Sequence, residues 1–132
     1  MTNRPLAKRL LIKPGHTVRT YNAPANYADL LGELPENVQV VDSGSGPFDV
    51  VHLFAQDSAV LNHDAPDAIK AVKPGGLLWM SYPKRSSKVE TDLTRDKGWA
   101  VVEAAGWRGI AQVSVDEVWS ATRFRSESEV GT

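Results

Sequence analysis

The run Phe48–Phe54 (FDVVHLF) constrains this chain more than any other stretch. It is too short for a stable helix, rich in β-branched and aromatic residues, and apolar almost without interruption. A strand open to water on one face alternates in polarity. A strand covered on both faces reads as this one does, and such strands belong to parallel sheets sandwiched between helices. Residues 77–82 (LLWMSY) repeat the signature. Between them, residues 57–72 place Val60, Leu61, Ala65, Ala68, Ile69 and Val72 at helical spacing, with Pro66 expected to split the helix. Strand, helix and strand at these lengths predict a crossover between parallel strands.

The rest of the chain extends this alternation. Asn3 can cap a first helix, with Pro5 near its first turn and Leu6, Leu10 and Leu11 on one face, and Lys13-Pro14-Gly15 ends it. Residues 16–21 favour extended backbone. Asn22-Ala23-Pro24-Ala25-Asn26 forms a loop leading into a helix over Tyr27–Leu31, which Gly32 stops. A second strand covers residues 38–41, and Ser43-Gly44-Ser45-Gly46-Pro47 breaks the chain again. Lys73-Pro74-Gly75-Gly76 is a hard stop before residues 77–82. A polar loop over residues 83–90 then leads to a predicted helix over residues 91–105, acidic at its start and closed by Gly106. Residues 110–115 and 118–124, joined by Asp116-Glu117, have the pattern of a hairpin.

These elements predict an open, mostly parallel α/β sheet with helices on both faces and a C-terminal antiparallel hairpin. The direction of the second strand stays open. Only residues 42–47 separate it from Phe48–Phe54. They reach the other end of the sheet if the second strand is very short, and otherwise it is antiparallel. A single domain over residues 1–125 and a polar tail over residues 126–132 are expected.

Composition narrows the function classes. In 132 residues, 42% are apolar and 23% charged, the balance of a globular domain. The net charge of −1 provides no overall attraction to nucleic acid or to an anionic membrane. Arg4, Lys8, Arg9 and Lys13 give the first helix positive charge, but without the aromatic interleaving of a nucleic-acid face. The chain has no cysteine, which excludes disulfides, thiolate metal sites and cysteine nucleophiles. It shows no signal-peptide pattern and no apolar run of membrane-spanning length, so a cytoplasmic location is expected.

Two stretches carry a resemblance. Lys73-Pro74-Gly75-Gly76-Leu77-Leu78-Trp79-Met80 resembles the turn and strand common in class I S-adenosylmethionine methyltransferases. Phe48-Asp49-Val50-Val51-His52-Leu53 resembles their preceding strand. The chain also resembles, over nearly its whole length, a family of small bacterial proteins classed as a domain of unknown function. That likeness rests on Asn22-Ala23-Pro24, Gly46-Pro47-Phe48-Asp49-Val50-Val51, Pro83-Lys84 with Ser87, Thr91-Asp92-Leu93-Thr94 and Asp116-Glu117-Val118-Trp119-Ser120. Both resemblances imply a Rossmann-like, methyltransferase-like sheet, here with one central strand–helix unit missing. The methyltransferase likeness also implies a cofactor, S-adenosylmethionine, held by a glycine-rich loop and by an acidic residue at the end of the second strand. The loop position here is Asn22-Ala23-Pro24-Ala25-Asn26, without glycine, and the acidic position is Asp42.

Further candidates come from loop placement. Lys84, Arg85, Ser86, Ser87 and Thr91 leave the carboxyl end of a buried strand and approach an expected helix start, where a phosphate or carboxylate can be held. Asp92 suits that helix start as a dipole partner, and a catalytic role would require a partner group. Trp119, beside Asp116, Glu117 and Ser120, can close one side of a pocket. His52 lies inside an apolar strand and is expected to be a hydrogen-bonded core residue. His16, His52 and His63 have no metal-ligand spacing, apart from the adjacent pair His63-Asp64, whose side chains need not converge. No Gly-x-Ser-x-Gly elbow is present. The combined expectation is a non-catalytic or degenerate methyltransferase-like module binding a small ligand, anions among the candidates, or a protein partner at the carboxyl edge of its sheet. The alternative is an S-adenosylmethionine-dependent methyltransferase.

Overall fold

A computed structural model describes residues 5–127 of the chain. Six strands, β1 (Thr17–Tyr21), β2 (Gln39–Val41), β3 (Phe48–Phe54), β4 (Val72–Pro83), β5 (Trp107–Ser114) and β6 (Trp119–Ser126), form one sheet in the order β2-β1-β3-β4-β6-β5. The first four are parallel, and β6 runs antiparallel to both β4 and β5. The direction of β2 is thereby settled. It pairs parallel to β1 over Thr17↔Gln39, Val18↔Val40 and Arg19↔Val41, and its three residues are short enough for residues 42–47 to return to the start of β3.

Helices cover both faces. Leu6, Leu10 and Ile12, from and just after α1 (Leu6–Arg9), join Tyr27 and Leu31 of α2 (Tyr27–Leu31) against Val18, Val50, Phe54 and Trp79. On the other face, Leu61, Ala65 and Ala68 of α3 (Ser58–Ala71), with Trp99 and Val102 of α4 (Ala100–Ala104), pack against Val51, Leu53, Leu78 and Met80. Alternate β3 side chains enter opposite cores, and every residue from Val50 to Phe54 is buried. This is why that strand is apolar throughout.

Several elements differ from expectation. Helix α3 runs unbroken through Pro66, whose side is exposed to solvent, while Leu61, Ala65 and Ala68 hold the opposite side in the core. The hydrogen bond lost to proline therefore falls where water can replace it. The helix expected over residues 91–105 is reduced to α4. Before it, Thr91 Oγ1 accepts from the Leu93 amide, and Thr94 Oγ1 accepts from those of Asp96 and Lys97. Such local side-chain bonds offer the backbone an alternative to the helical ladder, and here they prevail. Lys73-Pro74-Gly75-Gly76 forms an irregular opening of β4, between the pairs Phe48↔Val72 and Val50↔Leu77, rather than a clean stop. Leu11 has left the helical face at φ 66°, and Ile12 is buried in its stead. The first residues of the expected tail are structured. Ser126 ends β6, and the Glu127 amide donates to Gly106 O (2.7 Å) while its carboxylate pairs with Arg108 (2.6 Å). Asn3, Arg4 and residues 128–132 lie outside the described residues.

Candidate functional site

Because β1 to β4 are parallel, their carboxyl tips deliver Asn22, Asp42, the start of α3 and Lys84 to the same end of the sheet. The connection from β1 runs to one side of the sheet, to β2, while β3 lies on the other. Asn22 therefore stands at the point where strand order reverses, where open α/β sheets hold their ligands. A cavity of about 1000 Å³ opens beside it, on the β2 side of β1, bounded by Asn22 and Asp42 at the strand tips, by Arg19 of β1, by Tyr27 and Leu31 of α2, and by Leu34 and Val40 at its outer rim.

Asn22 has φ 59°, the left-handed region that glycine enters freely and asparagine tolerates better than other side chains. The loop thus makes its sharp departure from β1 without glycine. The Asn22 Nδ2 group donates to Phe54 O (3.2 Å) and to Asp64 Oδ2 (2.8 Å), tying the loop to the tip of β3 and to α3. Beside it, the Arg19 guanidinium lies 3.8 Å from the centre of the Tyr21 ring, and its Nε donates to Gly44 O (3.3 Å). The Tyr21 hydroxyl donates to Asp67 Oδ2 (2.7 Å). Burial, reinforced by that bond, pushes the phenol up to about 12, so it remains a donor at neutral pH.

Beneath the cavity, the Tyr27 hydroxyl meets His52 Nδ1 (2.8 Å), and His52 Nε2 meets Ser81 Oγ (2.6 Å). His52 and Ser81 are wholly buried, and desolvation lowers the imidazole to about 3. Burial likewise raises the Tyr27 phenol. The neutral ring donates through one nitrogen and accepts through the other, which satisfies both neighbours. Serine, histidine and tyrosine here form a closed core network, in agreement with the core reading of His52.

Other expected residues occupy separate places. Trp119 pairs with Pro83 across β6 and β4 and lines a second crevice, of about 630 Å³, that also includes Asn22, Phe54, Val60, His63 and Asp64. The Lys84 ammonium donates to Ser114 Oγ (2.6 Å) on the hairpin side, and its amide donates to Val118 O. Ser87 folds its amide and hydroxyl onto Lys84 O, and Arg85 and Ser86 are exposed on that turn. Thr91 and Asp92 border a shallow depression at the start of α3. There the Asp92 carboxylate accepts from the hydroxyl and amide of Ser58, which hold it below the ordinary carboxylate range, and Asp57 caps Val60. The helix start nearest Asp92 is therefore that of α3, and carboxylates of the chain itself occupy it. Sequence reasoning missed Arg19, Tyr21 and Tyr27, and it noted His63-Asp64 only as an adjacent pair whose side chains need not converge. The i, i+1 spacing of the last two signals no contact on a helix, yet His63 Nδ1 and Asp64 Oδ1 are 2.8 Å apart.

No family model and no curated protein matches the sequence. The fold is that of class I S-adenosylmethionine-dependent methyltransferases. The chain superposes on a SAM-dependent methyltransferase from Aquifex aeolicus with a TM-score of 0.61 at 14% identity, covering 90% of this chain and 86% of that one. It matches the ribosomal protein L11 methylase of Lactobacillus delbrueckii subsp. bulgaricus with a TM-score of 0.61 at 10% identity, covering 91% and 74%. It matches the N-methyltransferase NodS of Bradyrhizobium japonicum WM9, in complex with S-adenosyl-L-homocysteine, with a TM-score of 0.53 at 14% identity, covering 92% and 85%. Among the described residues, no helix is long and apolar enough to cross a membrane.

Proposed function

We propose that this chain is a methyltransferase-like module that binds a small adenosyl compound in the cavity at the tips of β1 and β2. The observation that carries the reading is the joint placement of Asn22 and Asp42 on one cavity wall at the tips of β1 and β2, beside the reversal point of the sheet. The residues present suit such a ligand. Asp42 offers a carboxylate to vicinal hydroxyls, and Leu34 and Val40, each 39% exposed, offer apolar surface to a flat heterocycle. The charged side chains lining the cavity are of both signs, Arg19 and Asp42, which suits a neutral or zwitterionic ligand. Asp64 and Asp67 stand on α3, bonded to Asn22 and Tyr21, and the Arg19 guanidinium is stacked on the Tyr21 ring.

Catalytic methyl transfer is the second reading, favoured by neighbours that are themselves methyltransferases. Bound S-adenosylmethionine supplies an electrophilic methyl group. The contribution of this chain is to hold the ribose at Asp42 and to fix the loop at Asn22. Calorimetric titration with S-adenosylmethionine, S-adenosylhomocysteine and adenosine, beside inorganic phosphate, tests both readings. Binding of the adenosyl compounds and not of phosphate is expected. The absence of heat and of any thermal shift with all three adenosyl compounds at millimolar concentration removes both readings. Binding without methyl transfer to any offered acceptor leaves the module as a binder.

A further inference from the structure

The second crevice differs in character from the first. Its wall is aromatic. Half-buried Trp119 meets Phe54 edge-to-face, with ring centres 5.1 Å apart and an interplanar angle of 89°, and Val60 completes the apolar lining. Its volume of about 630 Å³ lies within the range of small-molecule clefts. Its polar groups form one chain of bonds. Asn22 Nδ2 donates to Asp64 Oδ2, and the other carboxylate oxygen, Oδ1, takes His63 Nδ1 at 2.8 Å. A carboxylate only accepts, so in the neutral ring Nδ1 carries the proton and Nε2 carries the lone pair. The exposed imidazole is bonded at one nitrogen and offers an acceptor at the other, beside an aromatic wall.

We infer that this crevice is a second binding site, for a flat aromatic ligand bearing a hydroxyl or amine, with Trp119 as the stacking surface and His63 Nε2 as the hydrogen-bond acceptor. Aromatic rings gain from offset or edge-on contact with Trp119, whose own ring is held edge-to-face by the buried Phe54. A ligand hydroxyl finds an acceptor at the solvent-exposed His63 ring, whose other nitrogen is bonded to Asp64, which in turn is held by Asn22. The inference goes beyond the adenosyl reading and does not require it, although the two sites meet at Asn22.

The test uses para-cresol and its methyl ether, equal in ring and apolar bulk but different in that only the phenol can donate. In calorimetric titrations of the whole chain, para-cresol is expected to bind about fivefold more tightly than the ether. His63→Leu is expected to bring the two affinities together by weakening only the phenol. Trp119→Phe is expected to weaken both ligands in parallel. Because Trp119→Phe can disturb packing, the shift of the Trp119 indole NH resonance on adding para-cresol to the unaltered chain gives an independent readout. Equal binding of phenol and ether, a preference that survives His63→Leu, or no shift of the Trp119 resonance overturns the inference. The adenosine titration separates the two sites. Cresol binding without adenosine binding removes the proposed function and leaves this inference standing, and the reverse pattern does the opposite.

Discussion

The Tyr27 hydroxyl lies 2.8 Å from Nδ1 of His52, so a helix on one face of the sheet is bonded to a histidine buried within it. The imidazole sits at about 3 in the folded chain against an ordinary 6.5, because burial disfavours its charged form. The unfolded chain therefore takes up a proton at His52 that the folded chain refuses. Its contribution to stability is complete above about pH 6.5 and is lost progressively as pH falls toward 3. Thermal unfolding midpoints measured across this window should fall with acidification. They should fall less steeply in His52→Gln, which has no group to titrate there.

Removing the Tyr27 hydroxyl should show the cost of an unmade bond. Tyr27→Phe leaves His52 Nδ1 without its partner in a site closed to water, and a loss of about 1–3 kcal/mol is expected from urea unfolding. The aromatic contacts of Tyr27 with Phe54 and His52 remain in that variant, so the loss reports the hydroxyl.

At Asn22, backbone and side chain can be separated. Asn22→Gly keeps the φ of 59° accessible and should retain the adenosyl site at reduced affinity, because the bonds to Phe54 O and Asp64 are gone. Asn22→Val places a β-branched residue in the left-handed region and should cost roughly 1–3 kcal/mol of stability as well. Denaturant midpoints and adenosine titrations of the two variants distinguish these outcomes.

The strand-tip loops are expected to divide in their effects. Asp42→Asn should weaken adenosine binding by about tenfold or more, the weight of a hydrogen bond to a charged acceptor. Lys84→Ala combined with Arg85→Ala should leave it within about twofold, because Lys84 is bonded to Ser114 on the hairpin side and neither residue borders the cavity. Calorimetry on both variants checks the contrast.

Gly76 offers a packing test remote from the site. A Cβ there would lie 2.9 Å from Asp49 O and 2.9 Å from Val72 Cγ2. The backbone of β3 cannot yield readily, because Asp49 anchors this end of the sheet through the Thr17 amide (2.8 Å) and Lys73 (2.6 Å). Gly76→Ala should therefore destabilise the chain by about 1–3 kcal/mol without altering adenosine affinity.

The parts of the fold that were legible in the sequence are those where burial decides conformation. Phe48–Phe54 is a strand between two cores, and Tyr27–Leu31 is a helix ended by Gly32, because their apolar patterns admit little else. Residues 91–99 were not legible as turns, since Thr91 and Thr94 choose between a helical ladder and local bonds on margins too small for pattern to reveal. Pro66 misled in the opposite direction, its cost depending on which side of α3 faces water. Within the site, Asn22 and Asp42 were identified through the methyltransferase resemblance, as the positions matching its cofactor loop and its acidic residue after the second strand. The Tyr27–His52 bond joins residues 25 positions apart and exists only once α2 lies on the sheet. The carboxylate that meets His63 is also held by Asn22, 42 positions away, a relationship no spacing rule encodes.

The amide nitrogen of Asn22 has two hydrogens, and both are committed, one to the end of a strand and one to a carboxylate. What this side chain has left to present is its oxygen. A molecule arriving at the junction of the two clefts thus meets a fixed electron-pair donor. Ammonium, hydroxyl and amide NH groups can pair with that oxygen directly, whereas a carboxylate has to find its donor elsewhere, as at the Arg19 guanidinium lining the first cleft.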